Sequence, residues 1–178
     1  MHNDPDDERW TRLVQLLHED AEDLVAEFMR QVLAIPPYAT GVVPRERVEA
    51  DAVASFDYLL RRVGGLPLPD RVRRIGPAVG RDRARRGVPL EDLITAVRLD
   101  FRVLWAALRA RVGPADVPVL VNRVEEMWVV IEEFITTVQV SYLEEAALLA
   151  RERRRERSAL VAKLLSATEP DPADVHRV

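Results

Sequence analysis

Residues 119–165 read VLVNRVEEMW VVIEEFITTV QVSYLEEAAL LARERRRERS ALVAKLL. Neither glycine nor proline interrupts the stretch, and those two residues disfavour a helix interior most strongly. Val121, Trp128, Ile135, Tyr142 and Leu149 recur every seven residues, with Val124, Ile131 and Val138 beside them. A seven-residue recurrence of this kind lays an apolar stripe along one face of a helix. The spacing predicts one helix over about 115–165, roughly 70 Å long at about 1.5 Å per residue. That exceeds the width of a domain of this size. The run Arg151-Glu152-Arg153-Arg154-Arg155-Glu156-Arg157 is too polar to be buried, and Leu160, Val161, Leu164 and Leu165 then restore an apolar stripe. The helix is therefore expected to leave its bundle and continue as a connector.

Upstream the same 3.6-residue period dominates, with no sustained alternation of the kind a strand requires. A helix is expected over about 7–33, with Trp10, Leu13, Leu17, Leu24, Phe28 and Val32 on one stripe and a break allowed at His18-Glu19-Asp20. Asp6, Asp7 and Glu8 suit its positive end, and Pro36-Pro37 stops the chain from continuing as helix. A second spans about 44–63, inward on Val48, Ala52, Phe56, Leu59 and Leu60 and ended by Gly64-Gly65. A third covers about 69–86, with a kink or split expected at Gly76-Pro77 and Gly87 as its left-handed terminator. The fourth, about 89–112, has the cleanest pattern: Leu90, Leu93, Ile94, Val97, Phe101, Leu104 and Leu108 form one continuous core stripe. The fold class is all-α, a five- to six-helix bundle with a long last helix. Residues 7–150 form the bundle and 151–166 the connector. Residues 167–178, with Pro170 and Pro172 before a short helical start, read as the beginning of a following domain.

The composition removes whole classes of chemistry. There is no cysteine, and the three histidines, His2, His18 and His176, are scattered. Thiolate nucleophiles, disulfides and the usual zinc or haem ligand sets have no material here. Gly76, Gly80 and Gly87 are too widely spaced for a phosphate-cradling loop. Serine occurs at Ser55, Ser141, Ser158 and Ser166, with nothing that suggests a nucleophile and its base. Glu125-Glu126, Glu132-Glu133 and Glu144-Glu145 lack the histidine three residues on that a di-iron bundle uses, so they read as an acidic, solvated face. The expectation is a non-enzymatic domain without cofactor or metal. A net charge of −4 gives no general attraction to nucleic acid. The acidic start is not a signal peptide, and no apolar run reaches bilayer length, so a cytoplasmic protein without a membrane span is expected. All but one of the 26 basic residues are arginine, a hint of a GC-rich, actinobacterial-style genome.

Two arginine-bearing stretches stand out. Seven arginines lie between Arg71 and Arg86 against one acid, Asp82, and Arg74, Arg81 and Arg85 share a helical face. Either a charged face paired with acidic segments elsewhere or a nucleic-acid patch fits, and the missing aromatics favour the former. On the fourth helix, Arg98, Arg102, Trp105 and Arg109 are spaced 4-3-4. Arginines flanking an indole suit cation–π packing, or contact with an anionic ligand or a second subunit.

The stretch Gly80-Arg81-Asp82-Arg83-Ala84-Arg85-Arg86-Gly87-Val88-Pro89-Leu90-Glu91-Asp92-Leu93, followed by Ala96, Arg98 and Trp105, resembles the N-terminal domain of actinobacterial PucR/CdaR-type transcription regulators. It is also similar to the RsbT co-antagonist (RsbR-type) N-terminal domain of stress signalling. The likeness runs from about residue 10 to 166. It implies a globin-like helical bundle without haem, a homodimer, and a last helix that passes a signal to C-terminal domains. In PucR/CdaR-type proteins those domains carry the DNA-binding helix-turn-helix, so DNA contact is expected only through such a domain. Val121, Trp128, Ile135 and Tyr142 are the expected dimer surface. Arg81, Arg98, Arg102, Trp105 and Arg109 are the expected contacts of a small anionic effector or an interface. The competing expectation is a stressosome-like interaction scaffold.

Overall fold

The computed structural model describes residues 5–166, with side chains through Leu164. Every regular element among those residues is a helix, with no strand. The helices are α1 (Pro5–Glu19), α2 (Ala21–Val32), α3 (Pro36–Ala39), α4 (Arg45–Val63), α5 (Asp70–Arg73), α6 (Ile75–Arg85), α7 (Leu90–Arg111) and α8 (Val117–Ser166). The eight segments exceed the five or six expected because two are single turns, α3 and α5, and because the first expected helix is two. Its break falls at Asp20, inside the allowed interval. Arg111 Nε donates to the Asp20 carboxylate at 3.1 Å, tying the break to the end of α7. The expected start of a following domain at 167–178 lies outside the described residues.

Local sequence rules account for most of the boundaries. Pro44 and Pro89 stand immediately before α4 and α7, and Gly87 has φ of +70°, the left-handed conformation that closes α6. The break expected at Gly76-Pro77 instead falls at Arg74. Pro77 then occupies the first turn of α6, where its missing N–H is no loss.

Gly76 and Gly80 serve packing rather than bending. A Cβ at Gly80 would lie 2.3 Å from the Val138 carbonyl oxygen and 2.9 Å from the Tyr142 nitrogen, and one at Gly76 3.2 Å from Thr137 Cγ2. With buried Ala84 they form a small-residue row at four-residue spacing, which lets α6 lie backbone-close along α8. This is the most extensive helix pairing among the described residues.

The core runs through every long helix, from Trp10, Leu17 and Phe28 through Phe56, Leu60, Leu93, Leu104 and Leu108 to Met127, Phe134 and Val138. The Trp10 indole donates to the Val63 carbonyl at 2.9 Å, which satisfies its buried N–H and locks α1 to the end of α4. Helix α8 is continuous over 50 residues, about 75 Å at ~1.5 Å per residue. Its residues up to Glu145 include the buried ones, whereas every residue from Ala150 to Leu164 is exposed. From Ala150 to Leu164 the helix is thus exposed on all sides. No helix among the described residues is long and apolar enough to cross a membrane.

Candidate functional site

Helices α7 and α8 flank a groove of about 660 Å³ lined by Arg98, Phe101, Arg102, Trp105, Trp128, Ile131, Glu132, Ile135 and Thr136. Three of the stripe residues on α7 meet two of the heptad residues on α8 here. The geometry follows from periodicity: Arg98, Phe101, Arg102 and Trp105 are three or four apart on one helix, as are Trp128, Ile131, Glu132 and Ile135 on the other.

The aromatic rings form a connected set. Phe101 stacks on Trp105 with centroids 6.3 Å apart, and meets Trp128 edge-on at 6.0 Å. Trp128 is 53% exposed and its indole N–H donates to Glu132 Oε1 at 2.9 Å, which fixes the ring across the groove. Arg102 donates to Gln31 Oε1 at 2.9 Å, whereas Arg98 is exposed with no ion-pair partner among the described residues. The groove therefore offers an aromatic floor and an unpaired guanidinium, with Glu132 already engaged as an acceptor.

Other expected residues lie elsewhere. Arg81 is exposed on α6 and Arg109 exposed near the end of α7, and neither lines the groove. Val121 is 64% exposed, while Ile135 and Tyr142 pack partly against the core. The Tyr142 hydroxyl donates to the Val88 carbonyl at 2.7 Å, pinning the α6–α7 turn to α8. The outward apolar residues of α8 also include Val124, Val129, Val140 and Leu143. Within the basic stretch, Arg83, Arg85 and Arg86 pair with Asp51, Glu145 and Asp82, the arrangement of a charged face matched by acids. Glu145 is buried, unlike the solvated glutamates expected on α8.

A polar cluster at the centre of the bundle escaped the sequence reading. Arg83 (3% exposed), Asp51, Ser55 and Asp100 are buried around a cavity of about 30 Å³ that Tyr38, Phe28 and Phe134 also line. Arg83 Nη1 lies 2.8 Å from Asp51 Oδ2, close as an ion pair but poorly aligned as a hydrogen bond. The same nitrogen reaches Asp82 Oδ2 at 2.5 Å, and the guanidinium sits 5.8 Å from the centre of the Tyr38 ring. Burial raises the Asp51 carboxyl above its ordinary range against the pull of Arg83. Burial also draws Asp82 upward, but hydrogen bonds from Arg86 and Arg83 bring it below the ordinary value. The signal was present in the sequence. Asp100 follows Val97 by three residues and precedes Leu104 by four, so a carboxylate occupies a core position of α7.

Residues 19–157 match the family described as the RsbT co-antagonist protein rsbRD N-terminal domain. The chain belongs to that family. Membership marks it as a regulatory, signalling domain. The matched span starts at the α1–α2 break and ends within the exposed part of α8, so it takes in both the groove and the buried cluster. No curated protein and no solved structure matches the chain.

Proposed function

We propose that this chain is the non-enzymatic sensory and dimerisation module of a bacterial regulator, a homodimer that passes its signal along α8 to an output domain. The observation that carries the reading is α8 itself. Its first part is seated in the bundle, its outward side there carries Val121, Val124, Trp128, Val129, Val140 and Leu143, and every residue from Ala150 to Leu164 is exposed. Isolated exposed apolar side chains are ordinary, but a row of them on one helix marks a contact surface. Arg98 and the aromatic groove beside that row supply the polar edge of the same interface, and the place where a small anion would act as effector. In this reading the bundle is globin-like without haem, the protein is cytoplasmic, and DNA contact, where it occurs, belongs to a C-terminal output domain of the PucR/CdaR type.

The family match favours a second output, an RsbR-type interaction scaffold that regulates a partner protein instead of DNA. The kind of output domain that α8 serves separates the two. A helix-turn-helix supports transcription regulation, and a sulfate-transporter/anti-sigma-antagonist domain supports the scaffold. Light scattering at micromolar concentration tests the part they share. A dimer mass for the wild type and a monomer mass for Trp128→Glu are expected. A monomeric wild type would end this account of α8.

A further inference from the structure

We propose that Asp100 and Asp51 hold one proton between them at the centre of the bundle, and that its loss loosens the seat of α6 on α8. Inside the cluster a single guanidinium, Arg83, faces two buried carboxylates. Asp51 takes Arg83 at 2.8 Å, and Arg47 Nε approaches its other oxygen at 3.4 Å from the solvent side. Asp82 is balanced at the surface by Arg86 at 2.9 Å. Asp100 is left over. It is 4% exposed and its buried Oδ1 has no hydrogen-bond partner. An ionised carboxylate in that position bears a desolvation cost that Arg83, already engaged by Asp51, offsets only in part. A proton removes the excess charge, and the remaining pair, Asp51 with Arg83, is neutral.

Among the described residues, no second cation lines the cluster. Helix α3 presents Tyr38, whose hydroxyl pKa is raised by burial and which is hydrogen-bonded with Arg83, α4 presents Asp51 and Ser55, and α6 presents Arg83. Helices α2 and α8 present only Phe28 and Phe134. Burial accordingly holds the Asp100 carboxyl well above its ordinary value of 3.8, with Arg83 pulling the other way and Asp51 adding to the rise. Because the folded state keeps this proton to higher pH than the unfolded chain, the contribution is fully present below 3.8 and is lost as pH rises through the folded value.

The site is wired to α8. Arg83 lies on α6 between Gly80, whose backbone abuts Val138 and Tyr142, and the Val88 carbonyl that holds the Tyr142 hydroxyl. A net charge appearing beside Arg83 acts on the helix that carries the closest contact with α8. This coupling rests on the signalling reading of α8; the shared proton does not.

The direct test is carboxyl ¹³C NMR of the full chain across a pH titration. Asp100 is expected to titrate well above 3.8, and titration at or below that value overturns the proposal without touching the dimer. Thermal melts of wild type and Asp100→Asn supply the second arm. The two should converge towards acid pH, and the variant should melt higher by roughly 4 °C or more at pH 8. A difference that does not change with pH contradicts the proposal. Hydrogen exchange of the α8 amides over 134–142, corrected for intrinsic rate, tests the coupling. Protection should fall with pH in the wild type and stay level in Asp100→Asn. Equal behaviour of the two removes the link to α8.

Discussion

Arg83 and Arg98 stand on successive helices with the same side chain and opposite surroundings. Arg83 is 3% exposed, close to two aspartates and packed over a tyrosine. Arg98 is exposed at the edge of an aromatic groove with no ion-pair partner among the described residues. The first holds the fold together and the second is available to something outside it. A buried guanidinium is indispensable because its partners are buried too, whereas an exposed one contributes little until a ligand or subunit removes the water around it.

The comparison can be broken most forcefully at Arg83. Arg83→Met keeps the bulk but strands the Asp51 carboxylate without its buried cation, and should cost about 3–5 kcal/mol in urea unfolding. A loss below about 1 kcal/mol would mean that Asp51 is neutral as well and that no ion pair with Arg83 was there to lose. Next comes the seat that Arg83 shares. Gly80→Ala places a methyl group against the α8 backbone and should cost about 3 kcal/mol, with the greatest loss of hydrogen-exchange protection in α6 and the facing part of α8. Tyr142→Phe removes one partly buried hydrogen bond to Val88 and should cost about 1 kcal/mol. Arg98→Ala should leave stability within about 0.5 kcal/mol, while a titration of the groove's tryptophan fluorescence with small aromatic carboxylates should lose whatever response the wild type gives. If Arg98→Ala destabilised the fold as much as Arg83→Met, the division between the two regions would fail.

What was legible in the sequence, and what was not, divides along the same line. The boundaries of α4, α7 and α8 follow from Pro44, Pro89, Gly87 and a glycine-free stretch, because these residues act on their own backbone. The meeting of Arg98, Arg102 and Trp105 with Trp128 and Ile135 was half legible. Each set shares a helix face, but only the crossing of α7 and α8 brings the faces together. Gly76 was read as a kink and Gly80 had no packing role assigned, because close helix approach depends on partners far along the chain, Thr137 and Val138. The buried cluster was missed for a related reason. Asp51, Arg83 and Asp100 come from three helices, and within each they look like lapses in an apolar stripe. A charged residue at a core position is the signal that finds such a cluster.

The central claim is that copies of this chain meet along the outward face of α8, and the absence of cysteine gives it a clean test. Single cysteines are introduced by Trp128→Cys on α8 and by Val53→Cys on α4, sites exposed to nearly the same extent, 53% and 55%. Mild oxidation of purified protein at micromolar concentration is then read on a non-reducing gel. The account predicts a disulfide-linked dimer for Trp128→Cys and monomer for Val53→Cys. Monomer at both positions, or dimer only at Val53→Cys, would contradict it.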